Sequence, residues 1–216
     1  DQSKGYSIYL ENSDAILNNI VIHNTSISSS SSTGNSGSGA IHIMGGAPTF
    51  NNLAMSENSI TKGGAGTFDM RGGLMYVEDS ANVTIHSSSF TNNTMSYEDQ
   101  DIRGGAIYID SSHVTILTSH FTGNASSTSG ASEGAIVYGD EKSHLELTNV
   151  IISGNSSISG DNKNNDLIHF NQSGNLVLEE TIIRDNTGMG IFVNGNMTTE
   201  ESVISSNNNG GIAGAG

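Results

Sequence analysis

The strongest constraint in this sequence is a short anchor that recurs at nearly constant spacing. In each anchor an apolar residue is followed three positions later by asparagine: Val21–Asn24, Met55–Asn58, Phe90–Asn93, Phe121–Asn124, Ile152–Asn155, Ile183–Asn186 and Ile204–Asn207. The successive asparagines are separated by 34, 35, 31, 31, 31 and 21 residues. A period of this length indicates a repeat architecture, in which each unit buries its apolar face only by stacking on its neighbours.

A second anchor opens each unit with one or two glycines and an apolar pair, as in Gly39 to Ile41, Gly72 to Met75, Gly104 to Ile107 and Gly134 to Ile136. Between the anchors, apolar residues recur with a period of two, which is typical of β-strands. Aligning the opening strands gives one inward column of Ile8, Ile41, Met75, Ile107, Ile136, Ile168 and Ile191. It gives a second inward column of Leu10, Ile43, Val77, Ile109, Tyr138, Phe170 and Val193.

These patterns predict an all-β fold, a right-handed single-stranded parallel β-helix of about seven coils. Residues 1–216 would form a single domain that is a segment of a longer chain. The asparagines of the seven anchors would stack as a hydrogen-bonded ladder at one turn of every coil. The segments between the ladder and the next opening strand, 26–38, 60–71, 95–103, 125–133 and 156–165, are predicted to be loops that protrude from one edge.

The outward residues of the opening strands form a largely aromatic column. Alternation across a strand places them opposite the two inward columns; they are Tyr9, His42, Tyr76, Tyr108, Val137, His169 and Phe192. Exposed rings can pack against sugars or a partner protein, but aromatic residues also favour strands and pack between coils. The candidate contact face therefore comprises Tyr9, His42, Tyr76, Tyr108, His169 and Phe192.

Composition excludes several classes of partner. The formal net charge is -15 with only seven lysines and arginines, which disfavours nucleic acid and anionic membranes. The chain has no cysteine, so it has neither disulfides nor thiolate metal sites. No apolar run approaches the length of about 18 residues that suggests a membrane span, and we expect no membrane insertion.

An enzyme on the same scaffold is the main alternative. Glycoside hydrolysis needs two positioned carboxylates, and the candidate acids are Glu78, Asp79, Asp99, Asp101, Asp110, Asp140 and Glu141. Register places Glu78 and Asp110 on adjacent coils at an exposed strand end. A cleft that holds three or more carboxylates with an arginine would favour an enzyme, and a smooth column would not. The sequence assigns no catalytic residue.

Histidine and asparagine supply two further kinds of candidate site. His113 and His144 are 31 residues apart and should be outward neighbours; such a pair can bind a metal weakly but is more often a plain surface pair, so no metal or cofactor is predicted. Of the Asn-x-Ser/Thr sequons, those at Asn82, Asn92, Asn171 and Asn196 should face outward and are the candidate glycosylation sites.

One known repeat resembles these anchors. The combination of Gly104 to Ile107 with Phe121 to Asn124 is similar to the repeat of the chlamydial polymorphic outer membrane proteins, and the similarity extends over about residues 39–207. Ile152, Ile183 and Ile204 replace the family's phenylalanine. The resemblance implies a β-helical passenger that is exposed at the cell surface and is often adhesive.

Together these observations predict a non-catalytic, extracellular or cell-surface β-helix that acts as an adhesin or fibre subunit. Its expected partners are itself, in an oligomer or filament, or surface glycans and proteins of a host or the environment. A polysaccharide lyase- or hydrolase-like enzyme, or a glycan-binding module, is the alternative function.

Overall fold

The computed structural model describes residues 6–29, 39–62, 69–98, 100–160 and 164–214. In that part of the chain there is no helix, and therefore none long and apolar enough to cross a membrane. The strands form five sheets in which all pairing is parallel. The predicted all-β parallel solenoid is confirmed.

Three sheets run the length of the column. The first has eight strands: Ile8–Glu11, Ile41–Met44, Met75–Glu78, Ile107–Ile109, Val137–Gly139, Asp166–Phe170, Met189–Val193 and Ile212–Ala213. The second has seven: Ile16–Asn18, Thr49–Asn51, Asn82–His86, His113–Leu117, His144–Thr148, Asn175–Glu179 and Asn196–Glu200. The third also has seven: Val21–His23, Ala54–Ser56, Ser89–Thr91, His120–Thr122, Ile151–Ser153, Ile182–Arg184 and Val203–Ser205.

Two shorter sheets complete the coils. The fourth has five strands: Ser26–Ser29, Ser59–Lys62, Thr94–Tyr97, Ala125–Thr128 and Ser156–Ser159. The fifth has three: Met70–Arg71, Ile102–Arg103 and Ser132–Glu133. Only five turns therefore carry a described strand in each of the first four sheets. The number of full turns is somewhat lower than the predicted seven, because the last coils are shortened.

The core is a stack of side chains at matching positions of successive coils. Phe90 pairs with Phe121, and their rings lie 4.4 Å apart and almost parallel. The inward residues of the first three sheets are almost all fully buried from the second coil to the sixth, and each large aliphatic or aromatic side chain so buried contributes about 1.5–3 kcal/mol.

The predicted inward columns are correct except in the fifth coil. There Val137 pairs with Ile107 and Gly139 pairs with Ile109, so Ile136 and Tyr138 do not occupy the assigned columns. Gly139, at an inward position, leaves room for the large ring of Phe170 in the next coil. A Cβ at Gly139 would lie 2.3 Å from that ring, so the ring fills the space that an apolar side chain would otherwise take.

The asparagine ladder forms at the corner after the third sheet. Asn124 is typical of its members: its Nδ2 donates to the carbonyl of Phe90 in the preceding coil and to Oδ1 of Asn155 in the following one. Its Oδ1 accepts from the backbone N–H and the Nδ2 of Asn93. The same side-chain bonds join Asn58, Asn93, Asn124, Asn155, Asn186 and Asn207 in order. Each buried amide is thereby fully satisfied and ties three coils together.

Asn24 is not a member of this ladder, and that prediction is wrong. Ile22, not Val21, pairs with Met55, so Thr25 occupies the ladder position and its backbone N–H donates to Oδ1 of Asn58. Asn24 is exposed and has a left-handed backbone with φ of 52°. This is the corner conformation that precedes every ladder residue, and asparagine tolerates it well.

The segments predicted to be loops are instead ordered arms in their described parts. They form the fourth and fifth sheets and turn back over the outer side of the first sheet. The arms are polar in composition, yet some of their polar side chains are buried. The hydroxyls of Ser126 and Ser157 each form a hydrogen bond with the hydroxyl of Ser132 in the interior. Parts of the predicted loops, at 30–38, 63–68, 99 and 161–163, lie outside the described residues.

We expect Asn124→Ala to lower the free energy of unfolding by about 3 kcal/mol, because it leaves buried groups of three neighbouring residues without hydrogen-bond partners. Asn82→Ala, at an exposed site on the second sheet, is the matched control and should change it by less than about 0.5 kcal/mol. Urea unfolding followed by circular dichroism measures both. Equal effects of the two substitutions would contradict the role of the ladder.

Candidate functional site

The predicted outward column of the first sheet forms one continuous stack of rings. Its members pair in register, and neighbouring ring centroids lie between 4.7 and 5.3 Å apart: Tyr9, His42, Tyr76, Tyr108, Tyr138, His169 and Phe192. All six residues predicted for the contact face belong to it. Tyr138 was missed, because the sequence alignment placed Val137 at this position; its 30-residue spacing from Tyr108 was the available signal.

The middle of this column is not exposed, so the predicted contact face is wrong there. His42, Tyr76, Tyr108, Tyr138 and His169 are all buried, and Tyr108 has no exposed surface. Three of the tyrosines make a second apolar cluster, Tyr76, Tyr108 and Tyr138, separate from the main core.

The arms provide the cover over the rings. The guanidinium of Arg71 lies 5.3 Å from the ring centroid of Tyr108, and that of Arg103 lies 5.7 Å from that of Tyr138. At the two ends of the column Tyr9 remains 47% exposed and Phe192 is half-buried.

Arg103 is the centre of an ion-pair network in this covering layer. Its guanidinium lies 2.8 Å from Asp69, 2.9 Å from Glu133 and 3.9 Å from Asp101. Burial raises the pKa of Asp69, and the charge of Arg103 opposes that rise. Three carboxylates therefore surround one arginine, the combination that would favour an enzyme. The guanidinium of this arginine, however, is paired with acids of the same chain.

A second group of acids lies where the first-sheet strands end. Glu78, Asp110 and Asp140 follow matching positions of three successive coils. Glu78 Oε1 lies 2.8 Å from Nε2 of His42, and the Tyr108 hydroxyl donates to Asp140 over 2.9 Å.

Asp110 differs from its two neighbours. Burial, and then the nearby charge of Asp140, raise its pKa, whereas a hydrogen bond from Ser111 opposes the rise. The sequence-based pairing of Glu78 with Asp110 is thus supported, although these half-buried groups are less exposed than predicted. Asp99 lies outside the described residues.

Asp166 and His169 form the most deeply buried ionisable pair that the structure describes. Their Oδ2 and Nδ1 atoms are 3.0 Å apart, and Oδ1 of Asp166 accepts from the backbone N–H of Gly134. Burial lowers the pKa of His169, but the hydrogen bond and the charge of Asp166 outweigh it, so that the pKa is raised overall. Burial also raises the pKa of Asp166. Sequence analysis did not identify this pair: Asp166 was aligned with the opening glycines of other units, and His169 was assigned to the outward column.

The candidate glycosylation sites differ in accessibility. Asn82, Asn92 and Asn196 are exposed. Asn171 is half-buried, and its amide donates to the hydroxyl of Tyr138, so a glycan there would disturb the covered layer. Asn24, which had been assigned to the ladder, is exposed as well.

The pairing of His113 with His144 on adjacent strands is confirmed. Glu146, two residues beyond His144, lies on the same side of the second sheet, and this trio is the described group that could hold a metal ion.

The chain is a parallel β-solenoid in which the middle of the first sheet is covered by arms of the same chain. No protein-family model, curated protein or solved structure matches it.

From the buried Asp166–His169 pair we predict that the folded protein becomes less stable at alkaline pH. Because the folded-state pKa of His169 is raised, its contribution is complete below about pH 6.5 and is lost as the pH rises through the folded-state value. The raised pKa of Asp166 acts in the same direction.

We expect the melting temperature to fall as the pH rises from 6 to 9, because the folded state then loses the proton that stabilises the pair. The double variant Asp166→Asn/His169→Gln keeps polar side chains of similar shape but cannot titrate, so its melting temperature should depend less on pH. An identical pH dependence in both proteins would contradict this assignment.

Proposed function

We propose that this chain is a non-catalytic structural or adhesive β-solenoid that acts outside the cell or at its surface. The observation that carries the proposal is the covered layer over the first sheet. A catalytic group must reach its substrate, yet the ring column is buried and the charges above it are engaged with one another. These contacts suit a rigid column better than an open cleft.

Charge and repeat pattern support the proposed location. A net charge of -15 keeps molecules apart and in solution. The resemblance of the two anchors to repeats of bacterial surface proteins supports display on a cell. If the chain passes through a eukaryotic secretory pathway, glycans at Asn82, Asn92 and Asn196 would project from the column without entering its interior.

An aliphatic strip on the outer side of the third sheet is well suited to contact another surface. Ile151, Ile182 and Val203 pair in register on successive coils. Ile151 is 42% exposed, Val203 is 50% exposed and Ile182 is half-buried. A row of apolar side chains at about 4.8 Å intervals on a rigid sheet is a suitable contact surface for a second copy of the chain or for a protein of another surface.

We expect Ile151→Ser/Val203→Ser to weaken contact through this strip by about tenfold, equivalent to about 1.4 kcal/mol, and to leave the melting temperature nearly unchanged. Sedimentation velocity over a wide concentration range measures self-association, and binding of the immobilised chain to collagen, fibronectin, laminin and a glycan array measures adhesion. Asn82→Ala/Thr84→Ala, on the outer side of the second sheet, is the control. Absence of both self-association and binding in the unmodified chain would remove the adhesive part of the proposal.

One observation favours the alternative, a carbohydrate-active enzyme. Asp110, with its raised pKa, lies beside Asp140 on the adjacent coil. A raised pKa suits a general acid, and the strand spacing of about 4.8 Å is close to the carboxyl separation of about 5–5.5 Å in retaining glycosidases.

We expect no turnover of polygalacturonate, alginate, chitin or xylan, measured as reducing ends released and as absorbance of unsaturated uronates. Asp110→Asn serves as the comparison. Turnover by the unmodified chain that is lost in this variant would establish the enzyme and overturn the non-catalytic proposal.

A further inference from the structure

The second sheet carries a second group of polar residues that the proposed function does not use. On its outer side, His113 and Thr115 belong to one strand and pair with His144 and Glu146 of the next. Alternation along a strand puts positions 113 and 115 on the same side. The four side chains therefore occupy the corners of a small square that spans two coils.

Three of these side chains converge on one point. The donor atoms of His113, His144 and Glu146 all lie within 4.8 Å of one another. Oε1 of Glu146 is 2.9 Å from Nε2 of His144 and 3.9 Å from Nε2 of His113. Zinc with bonds of about 2.0–2.1 Å needs tetrahedral ligands about 3.3 Å apart, a value between these two distances. Each of the two histidine–carboxylate distances would change by less than 1 Å on metal binding.

Asn175 lies behind His144 and can orient its ring. Nδ1 of His144 lies 2.7 Å from Nδ2 of Asn175 on the following coil, so that Nδ1 accepts this bond and Nε2 carries the proton, 2.9 Å from Oε1 of Glu146. Metal binding would displace that proton; with the Asn175 amide flipped, its oxygen would accept from Nδ1 and the lone pair of Nε2 would face the metal. Such a bond to the second ring nitrogen fixes the tautomer and the orientation of a ligand.

His113 distinguishes this site from a simple His–Glu pair. Its ring centroid is 4.2 Å from that of His144, with the rings at 73° to each other. Burial and the neighbouring His144 lower the pKa of His113, and the charge of Glu146 opposes this. The second imidazole gives the group two nitrogen donors beside one carboxylate.

We propose that His113, His144 and Glu146 bind one divalent transition-metal ion, of the zinc type, across two adjacent coils. Two imidazoles and one carboxylate are a zinc ligand set that leaves a fourth position for water or a group from a partner. Copper and nickel would also bind, whereas calcium and magnesium, which prefer oxygen ligands, would not. The ion would join strands His113–Leu117 and His144–Thr148.

Isothermal titration of the full chain with zinc chloride, in a buffer that does not bind metal, tests the site. We expect one equivalent to bind, with at least about tenfold weaker affinity in His144→Ala and in His113→Ala, as expected for loss of one ligand. His120→Ala is the matched control, because His120 is exposed on the third sheet in the same coil as His113 and lies outside the ligand trio; its affinity should be unchanged.

Cobalt provides a second readout that does not depend on affinity alone. A four-coordinate cobalt ion at this site should give intense visible absorption bands, which zinc displaces and His144→Ala removes. Circular dichroism confirms that each variant is folded. Failure of zinc to bind, or equal weakening by His120→Ala, would overturn the proposal, and so would calcium binding of similar strength.

Discussion

The structure depends on buried amides that can be satisfied only when neighbouring coils are in register. A parallel sheet alone tolerates slippage, and a slip of one residue moves every side chain to the opposite side. A ladder asparagine prevents this, because its Oδ1 and Nδ2 must meet groups of the coils before and after it. A slipped coil would leave several buried polar groups unpaired, at a cost of about 1–3 kcal/mol for each.

Fixed register explains why like residues meet throughout the molecule. The stacked rings of Phe90 and Phe121, the covered tyrosines and the His113–His144 pair are all products of one alignment. The same alignment brings the carboxylates of Asp110 and Asp140 together, and burial together with this like charge raises the pKa of Asp110. The packing that stabilises the column and the close approach of like ionisable groups therefore both follow from the register of the coils.

Structural features that recur in every coil were predicted from the sequence, whereas features specific to a single coil were missed. The core columns and most of the ladder follow from spacing. Asn24 was misassigned because Val21 and Ile22 both fit the apolar anchor, and only pairing with Met55 distinguishes them. Tyr138 was misassigned because Ile136 was aligned with Ile107, whereas in the structure Val137 pairs with Ile107 and Tyr138 pairs with Tyr108.

The burial of the ring column was missed for a different reason. The segments that cover it are rich in serine, glycine and asparagine, a composition typical of loops. In the structure their polar groups bond to one another and to the backbone, as Ser126, Ser132 and Ser157 do. The position of Arg71 and Arg103 over tyrosine rings could not be derived without the path of the arms.

The shortened coil near the end of the column shows how the length of an arm affects the exposure of the rings of the first sheet. Asn186 and Asn207 are only 21 residues apart, yet the ladder bond between them is intact. Phe192, which lies in this coil, is less covered than His169 before it. Insertions and deletions in the arms can thus hide or uncover single rings while the ladder stays unchanged, so arm length alone changes how much aromatic surface the first sheet exposes.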